Sequence, residues 1–256
     1  MIDALAIVDP SAQLADNVVV GPWTIIGPNV VIGEGTIIAS HVVLKGPTTI
    51  GKNNKIFQFC TIGEDCQDKK FKGEATRLEI GDGNIFREAC TVHRGTTQDK
   101  SLTKIGNHNL FMVNVHVAHD VIVGDNCILA NDTNIAGHVH IGDTAILGGS
   151  SQVHQFVQIG SHSMCGTGSV VLKDVPAYIM ANGNSAKPHG INSEGLKRRG
   201  FTADDISALR AAYKSVYRKG LTLNEALLEL DALVSRSKSV ELFIESLNQS
   251  TRGIIR

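Results

Sequence analysis

The chain has 256 residues, 42% of them hydrophobic, and a formal charge of −1, enough apolar material for one large globular domain or two modest ones. That balance offers no whole-chain argument for nucleic acid, although residues 189–256 carry 11 Lys and Arg against 8 Asp and Glu, which leaves −4 for the rest. The five cysteines are odd in number and never spaced as CxxC, and no apolar run reaches membrane-spanning or secretory length, so the expectation is a soluble, cytoplasmic protein without disulfides, cysteine-bound zinc or an integral membrane segment.

From Ile2, steps of six residues reach Val8, Leu14, Val20, Ile26, Ile32, Ile38, Leu44, Ile50, Ile56 and Ile62, eleven aliphatic residues in succession. At this composition such a run has a chance on the order of one in ten thousand for a given phase, so the repeat is real. Ile80, Phe86 and Val92 keep the phase. From Ile105 the step resumes one residue out of phase, through Phe111, Val117, Val123, Leu129, Ile135, Ile141, Leu147, Val153, Ile159, Cys165 and Val171.

Glycine often follows the anchor, as at Gly21, Gly33, Gly63, Gly106 and Gly142, which predicts tight corners with unusual dihedrals. Each hexad therefore reads as a short strand plus a corner, and three hexads make one 18-residue coil of a triangular parallel β-helix. Two polar segments interrupt the repeat, 64–79 and 95–104, and read as functional loops thrown out from the prism.

The β-helix is expected over 1–190 and a helical domain over 191–256. Thr202-x-x-Asp205 starts one helix, with Ile206, Leu209, Tyr213, Val216 and Tyr217 on one face. Thr222-x-x-Glu225 is a capping box opening a second, and a third is expected around 240–247. Such a tail caps the solenoid end.

His119, His138 and His154 fall in hexads opened by Val117, Ile135 and Val153, which start 18 residues apart. They are therefore expected on one face of three successive coils, as a column of imidazoles with His116 joining from the side. Two chemistries fit such a column. Three imidazoles could hold zinc with an open position, as in carbonic anhydrases built on this solenoid. Alternatively, one imidazole could take a proton from a hydroxyl while its neighbours orient the substrate. The second is favoured locally: Asp120 follows His119, and Gly137 offers an unobstructed backbone N–H for a developing oxyanion. No serine or cysteine has a partner that would make it a covalent nucleophile, so direct attack by an acceptor hydroxyl is expected.

The stretches IFQFCTIGEDCQDKKFKGE (56–74), VHRGT (92–96), HVAHD (116–120), IAGHVH (135–140), VHQF (153–156), DVPAYIMANGN (174–184), GLKRRGF (195–201) and STRGIIR (250–256) resemble, along nearly the whole chain, the UDP-N-acetylglucosamine O-acyltransferases of lipid A biosynthesis. The resemblance supplies the left hand of the solenoid, against the usual right-handed crossover. It also implies a cytoplasmic homotrimer with sites between prisms, and transfer of a (3R)-3-hydroxyacyl chain from acyl carrier protein to the 3-hydroxyl of UDP-N-acetylglucosamine. No cofactor or metal is implied beyond the carrier's own phosphopantetheine.

His119 is assigned as base, with Asp120 adjacent and the Gly137 N–H at the oxyanion. Asp68, Lys70, His116, His138, His154 and Gln155 match positions that contact the sugar nucleotide or shape its pocket. Asn192, Glu194, Arg198 and Arg199 match the uridine and phosphate end, where arginine suits a diphosphate. The basic run from Lys197, Arg198 and Arg199 to Lys219 suits an acidic carrier protein. Thr167 stands where some long-chain relatives carry glycine at the end of the acyl groove, which leaves acyl length open, as is the choice between this sugar and its 3-amino analogue. A solenoid metal enzyme of the carbonic anhydrase type is the alternative.

Overall fold

The computed structural model describes residues 1–256. The hexads fold into 27 short strands arranged as three sheets of nine, eight and ten strands, parallel except for the last pair of the third, the faces of a left-handed β-helical prism. Sheet 1 begins at Ile7–Val8, sheet 2 at Gln13–Leu14 and sheet 3 at Val19–Val20. Most strands have only two residues, the first facing outward and the second inward. In sheet 1 the register Ile7↔Ile25↔Val43↔Thr61 stacks outward residues and Val8↔Ile26↔Leu44↔Ile62 stacks inward ones.

The inward anchors merge into one apolar core of 56 buried residues that continues from the prism into the helical tail. Inside sheet 3, Phe86 and Phe111 stack with ring centroids 4.6 Å apart. Polar ladders close some corners from within. Asn54 Oδ1 accepts from the backbone and side-chain nitrogens of Asn84, whose own Oδ1 accepts from both nitrogens of Asn109. Each coil thereby satisfies the buried amides of the next.

The corner glycines have a different cause from the one the repeat suggested. The left-handed backbone falls on other residues of each corner, most of them not glycine, such as Trp23, Asn53, Asp120, His138 and His162. Of the glycines that follow an anchor, Gly63 does have a positive φ, of 83°. The others are required by the coil above: a Cβ on Gly21 would lie 2.7 Å from the Ser40 nitrogen, and one on Gly33 would lie 2.7 Å from the Gly51 carbonyl carbon. Close approach of backbones excludes any side chain there.

Strands reach into both segments expected as loops. Thr61–Glu64 and Arg77–Ile80 bracket the first excursion, and Thr91–His93 and Leu102–Ile105 bracket the second. Buried Arg94 ties the two together, bonding the Gly63 carbonyl and the Asp65 carboxylate. An antiparallel pair, Ile179–Asn182 with Lys187–Ile191, ends the prism.

Four helices follow: α1 Ser193–Arg198, α2 Ala203–Tyr217, α3 Leu223–Val234 and α4 Ser239–Asn248. The capping boxes Thr202–Asp205 and Thr222–Glu225 form as the spacing predicts. Short α1 has no apolar period to announce it; it is nucleated by Asn192, whose Oδ1 accepts from the Gly195 N–H. The chain end returns to the prism, where the Ile255 N–H donates to the Asp174 carbonyl. No helix is long and apolar enough to cross a membrane.

Candidate active site

Strand Thr91–His93 and strands His116–Val117, Asn134–Ile135 and Gln152–Val153 lie side by side in sheet 1, with the outward residues His116, Asn134 and Gln152 in register. The corner after His116–Val117 carries His119 and Asp120. These elements and Gln67 and Asp68 of the first excursion line a cleft of about 390 Å³, with His93, Ala118 and Gly137 completing its walls. A second cleft, about 230 Å³ between sheet 2 and α4, contains His140 but no imidazole–carboxylate pair.

Asp120 is 1% exposed and is surrounded by donors. Thr96, at the start of the second excursion, gives it the backbone N–H at 2.9 Å and the hydroxyl at 2.6 Å, and His119 Nδ1 lies 2.9 Å from its Oδ2. Its own N–H donates to Thr103 Oγ1 at 2.8 Å. Burial works against the charge, but the hydrogen bonds from His119 and Thr96 outweigh it and hold the carboxyl below the usual carboxylate range. An ionised Asp120 accepts only, so His119 carries its proton on Nδ1 and presents the Nε2 lone pair to the cleft.

The His119 ring lies against Gly137, one coil above. A Cβ on Gly137 would be 2.5 Å from His119 Cε1 and 2.6 Å from Nε2, so only glycine leaves room for the imidazole. The neighbouring amides are taken, Ala136 by the Val153 carbonyl and His138 by the His119 carbonyl, whereas the Gly137 N–H donates to no protein acceptor. A lone pair and a free backbone donor thus face the same cleft.

The expected three-histidine column does not form. His119, His138 and His154 occupy different positions within their hexads: His119 stacks in register on Gly137, and His138 on Asp120 and Phe156. His138 does reach His119, edge to face at 5.0 Å, and stacks on Phe156 at 4.4 Å. Its Nδ1 lies 3.3 Å from Asp99 Oδ2 and its Nε2 3.9 Å from Asp120 Oδ2. His154 is exposed and turns to the Gln155 carbonyl. An 18-residue period places hexads on one face, but side chains meet only when their positions within the hexad also match.

His116 joins the cleft as expected, its Nδ1 2.7 Å from Thr91 Oγ1. Burial, then the nearby His119, lowers its pKa. Asp68 is at the cleft and accepts the Lys70 N–H, while Lys70 itself is exposed. Gln155 and Thr167 are exposed outside it. Asn192 is buried, its side chain engaged by the α1 cap and by the His162 carbonyl. Glu194 pairs with Lys197, and Arg198 and Arg199 are exposed at the far end of sheet 3. One chain therefore does not bring the α1 group to the His119 cleft. Three residues of the site were not anticipated: Thr96 and Asp99 lie in the second excursion, where no repeat signals a position, and His93, which directly follows the in-phase anchor Val92, could have been found from the repeat.

The nearest approach to a metal centre is His119, Asp120 and His138, whose donor atoms lie within 4.8 Å of one another. Its carboxylate is already committed to His119 and Thr96, and a metal would have to break those bonds. Exhaustive chelation is therefore expected to leave turnover unchanged; activity restored only by added zinc would reverse this reading.

Residues 174–255 match the family described as UDP-N-acetylglucosamine O-acyltransferase, domain 2, and residues 11–46 and 102–137 match the bacterial transferase hexapeptide repeat. The acyl-[acyl-carrier-protein]--UDP-N-acetylglucosamine O-acyltransferase of Stutzerimonas stutzeri is 56% identical over 100% of this chain and 99% of its own. The Tolumonas auensis protein of the same name is 66% identical over 82% of this chain and 80% of its own. The solved UDP-N-acetylglucosamine O-acyltransferase of Moraxella catarrhalis is 52% identical and superposes with a TM-score of 0.98, covering 100% of this chain and 99% of its own. A hexad prism carrying an imidazole–carboxylate couple beside a free glycine amide, followed by this helical tail, thus belongs to the UDP-N-acetylglucosamine O-acyltransferase family.

Proposed function

We infer that this chain transfers an acyl group from acyl carrier protein to UDP-N-acetylglucosamine in lipid A biosynthesis, and that the acceptor atom is the sugar 3-hydroxyl. The observation that carries the mechanism is the His119–Asp120 couple beside the unpaired Gly137 N–H. His119 Nε2 takes the proton as the hydroxyl oxygen attacks the thioester carbonyl, and the Gly137 N–H stabilises the negative charge that develops on the carbonyl oxygen. Collapse expels the phosphopantetheine thiolate, which receives the proton from the imidazolium, so the base is restored and no covalent enzyme intermediate is needed. Ionised Asp120 favours that imidazolium and fixes the ring.

A trimer follows from what the prism leaves uncovered. Ile7 and Ile25 on sheet 1, Val19 and Ile37 on sheet 3, and Trp23 and Phe59 on the corner between these sheets are exposed, Ile7 by 65% and Phe59 by 61%. Apolar surface straddling one edge is costly in water, and a prism that offers the two faces beside one edge closes with two further copies. The cleft on sheet 1 then faces the sheet 3 side of a neighbour, from which that copy's Glu194, Arg198 and Arg199 reach the nucleotide on a helix that buried Asn192 caps. Light scattering at the mass of one fully active chain would count against this arrangement. The exposed basic residues Lys197, Arg198, Arg199 and Lys219 suit the acidic carrier protein.

The acyl chain is a (3R)-3-hydroxyacyl group whose length is set at Thr167. This residue is exposed on the same apolar edge, before strand Val170–Val171 and three coils from His116–Val117, about 14 Å along the prism. Gly166 and Gly168 flank it, and a Cβ on Gly168 would meet nothing within 4 Å, so the threonine is the local bulk. Mass spectrometry of product formed from a mixed pool of 3-hydroxyacyl carrier proteins tests the acceptor and the length together. Thr167→Gly is expected to shift the optimum by about two carbons, changing preference about tenfold at roughly 0.8 kcal/mol per methylene. Unchanged product ratios would remove Thr167 from the groove, and absence of acylated sugar nucleotide would overturn the function.

A further inference from the structure

His93 has an unsatisfied environment that the mechanism does not use. It is 5% exposed and lines the cleft, and its ring makes no hydrogen bond to protein; Nδ1 is fully buried without a partner, whereas Nε2 is not shut away. Its neighbour His116 meets it edge to face at 4.9 Å but gives its own Nδ1 to Thr91. Burial, and then the proximity of His116, pushes the His93 pKa down to about 4, so near neutral pH the ring is an uncharged imidazole with one donor and one acceptor. Leaving such a group unpaired inside a protein is destabilising, and an aromatic or aliphatic side chain of similar volume would fill the space without that penalty.

The position of His93 says which ligand could meet it. It lies one coil below His116, where Gln67 and Asp68 of the first excursion close the cleft. The opposite end, past Gly137 and Gln152, leads along sheet 1 toward Val170. The polar, closed end suits the acceptor sugar, and the open end the acyl chain. Resting on the acceptor proposed above, we propose that His93 is a binding residue for the N-acetylhexosamine, its Nε2, the ring nitrogen that is not shut away from the cleft, meeting a hydroxyl or the acetamido group.

Calorimetric titration with UDP-N-acetylglucosamine, steady-state kinetics and thermal melting test this on the intact protein. His93→Phe keeps the ring volume and removes both nitrogens. It is expected to weaken sugar-nucleotide binding and raise the corresponding KM about tenfold, leave the KM for acyl carrier protein unchanged, and melt at or above the wild-type temperature. His93→Gln, which retains a polar atom near the Nε2 position, is expected to bind within about threefold of wild type.

Wild-type affinity in His93→Phe would overturn the proposal, since a water-filled or purely structural site gives that result. So would equal increases in both KM values, which report general distortion. If the phenylalanine variant does not fold, His93→Gln against His93→Ala decides, and equal affinity of the two overturns the proposal. A wild-type protein that does not bind UDP-N-acetylglucosamine would instead sink the acceptor reading itself.

Discussion

His119→Ala is expected to lower turnover by about 10²- to 10⁴-fold, the range for loss of a general base, while sugar-nucleotide affinity changes only a few-fold. The asymmetry follows from where the ring's interactions are made. Nδ1 faces buried Asp120, and in the proposed mechanism Nε2 acquires its full role only when the attacking hydroxyl gives up a proton. Removing that interaction affects the transition state more than the ground state, so kcat falls and KM does not rise in proportion. The fold should survive because the site is built on strands anchored by Val117, Ile135 and Val153, all of which point the other way into the core. A variant turning over within tenfold of wild type would sink the assignment, and an unfolded one would show that the His119 ring supports the corner. Asp120→Asn provides the control: it keeps the shape but cannot stabilise the imidazolium in the same way, and kcat should fall with little change in melting temperature.

The prism was legible in the sequence because a six-residue period reports a repeated backbone, and the coils from Ile7 to Val171 obey it outside the two excursions. The capping boxes at Thr202 and Thr222 were equally legible, since each is a local pattern with a local cause. The assembly of the site was not. Thr96, Asp99 and Arg94 act across the prism from a segment without period, on Asp120, His138 and Asp65, and no spacing rule relates them. The histidine column failed for a different reason. Period 18 placed three hexads on one face and already sets His138 over Asp120 and Gly137 over His119; the column was expected only because positions within the hexad were not matched. The corner glycines show a further confusion: sequence alone cannot separate a glycine needed for its dihedrals, as at Gly63, from one needed because another backbone passes 2.7 Å from its missing side chain, as at Gly21. Residue identity along Asn192 to Arg199 was read from resemblance, and a single chain leaves that group apart from the cleft.

Gly137→Ala should be nearly as damaging as loss of His119, by a route that a double-mutant cycle can expose. The glycine has ordinary backbone dihedrals, so alanine brings no conformational strain; the obstacle is the imidazole, 2.5 Å from the new Cβ at Cε1 and 3.2 Å at Nδ1. The ring has to swing away by roughly 1 Å to restore ordinary contact, and that movement pulls Nδ1 from Asp120 and Nε2 from the hydroxyl. Misplacement of this size costs on the order of 100-fold in rate. The added methyl also stands beside the N–H that is meant to receive the oxyanion, and loss of one such donor costs about 10²–10³-fold. In wild type both effects operate. In the His119→Ala background the clash is gone, so Gly137→Ala should cost further only through the oxyanion donor, and the two losses should fall short of adding. Additive losses would place the methyl's effect entirely at the oxyanion and leave ring displacement without support. A Gly137→Ala enzyme with near wild-type kcat would remove this amide from the mechanism and show that His119 turns over from a second rotamer.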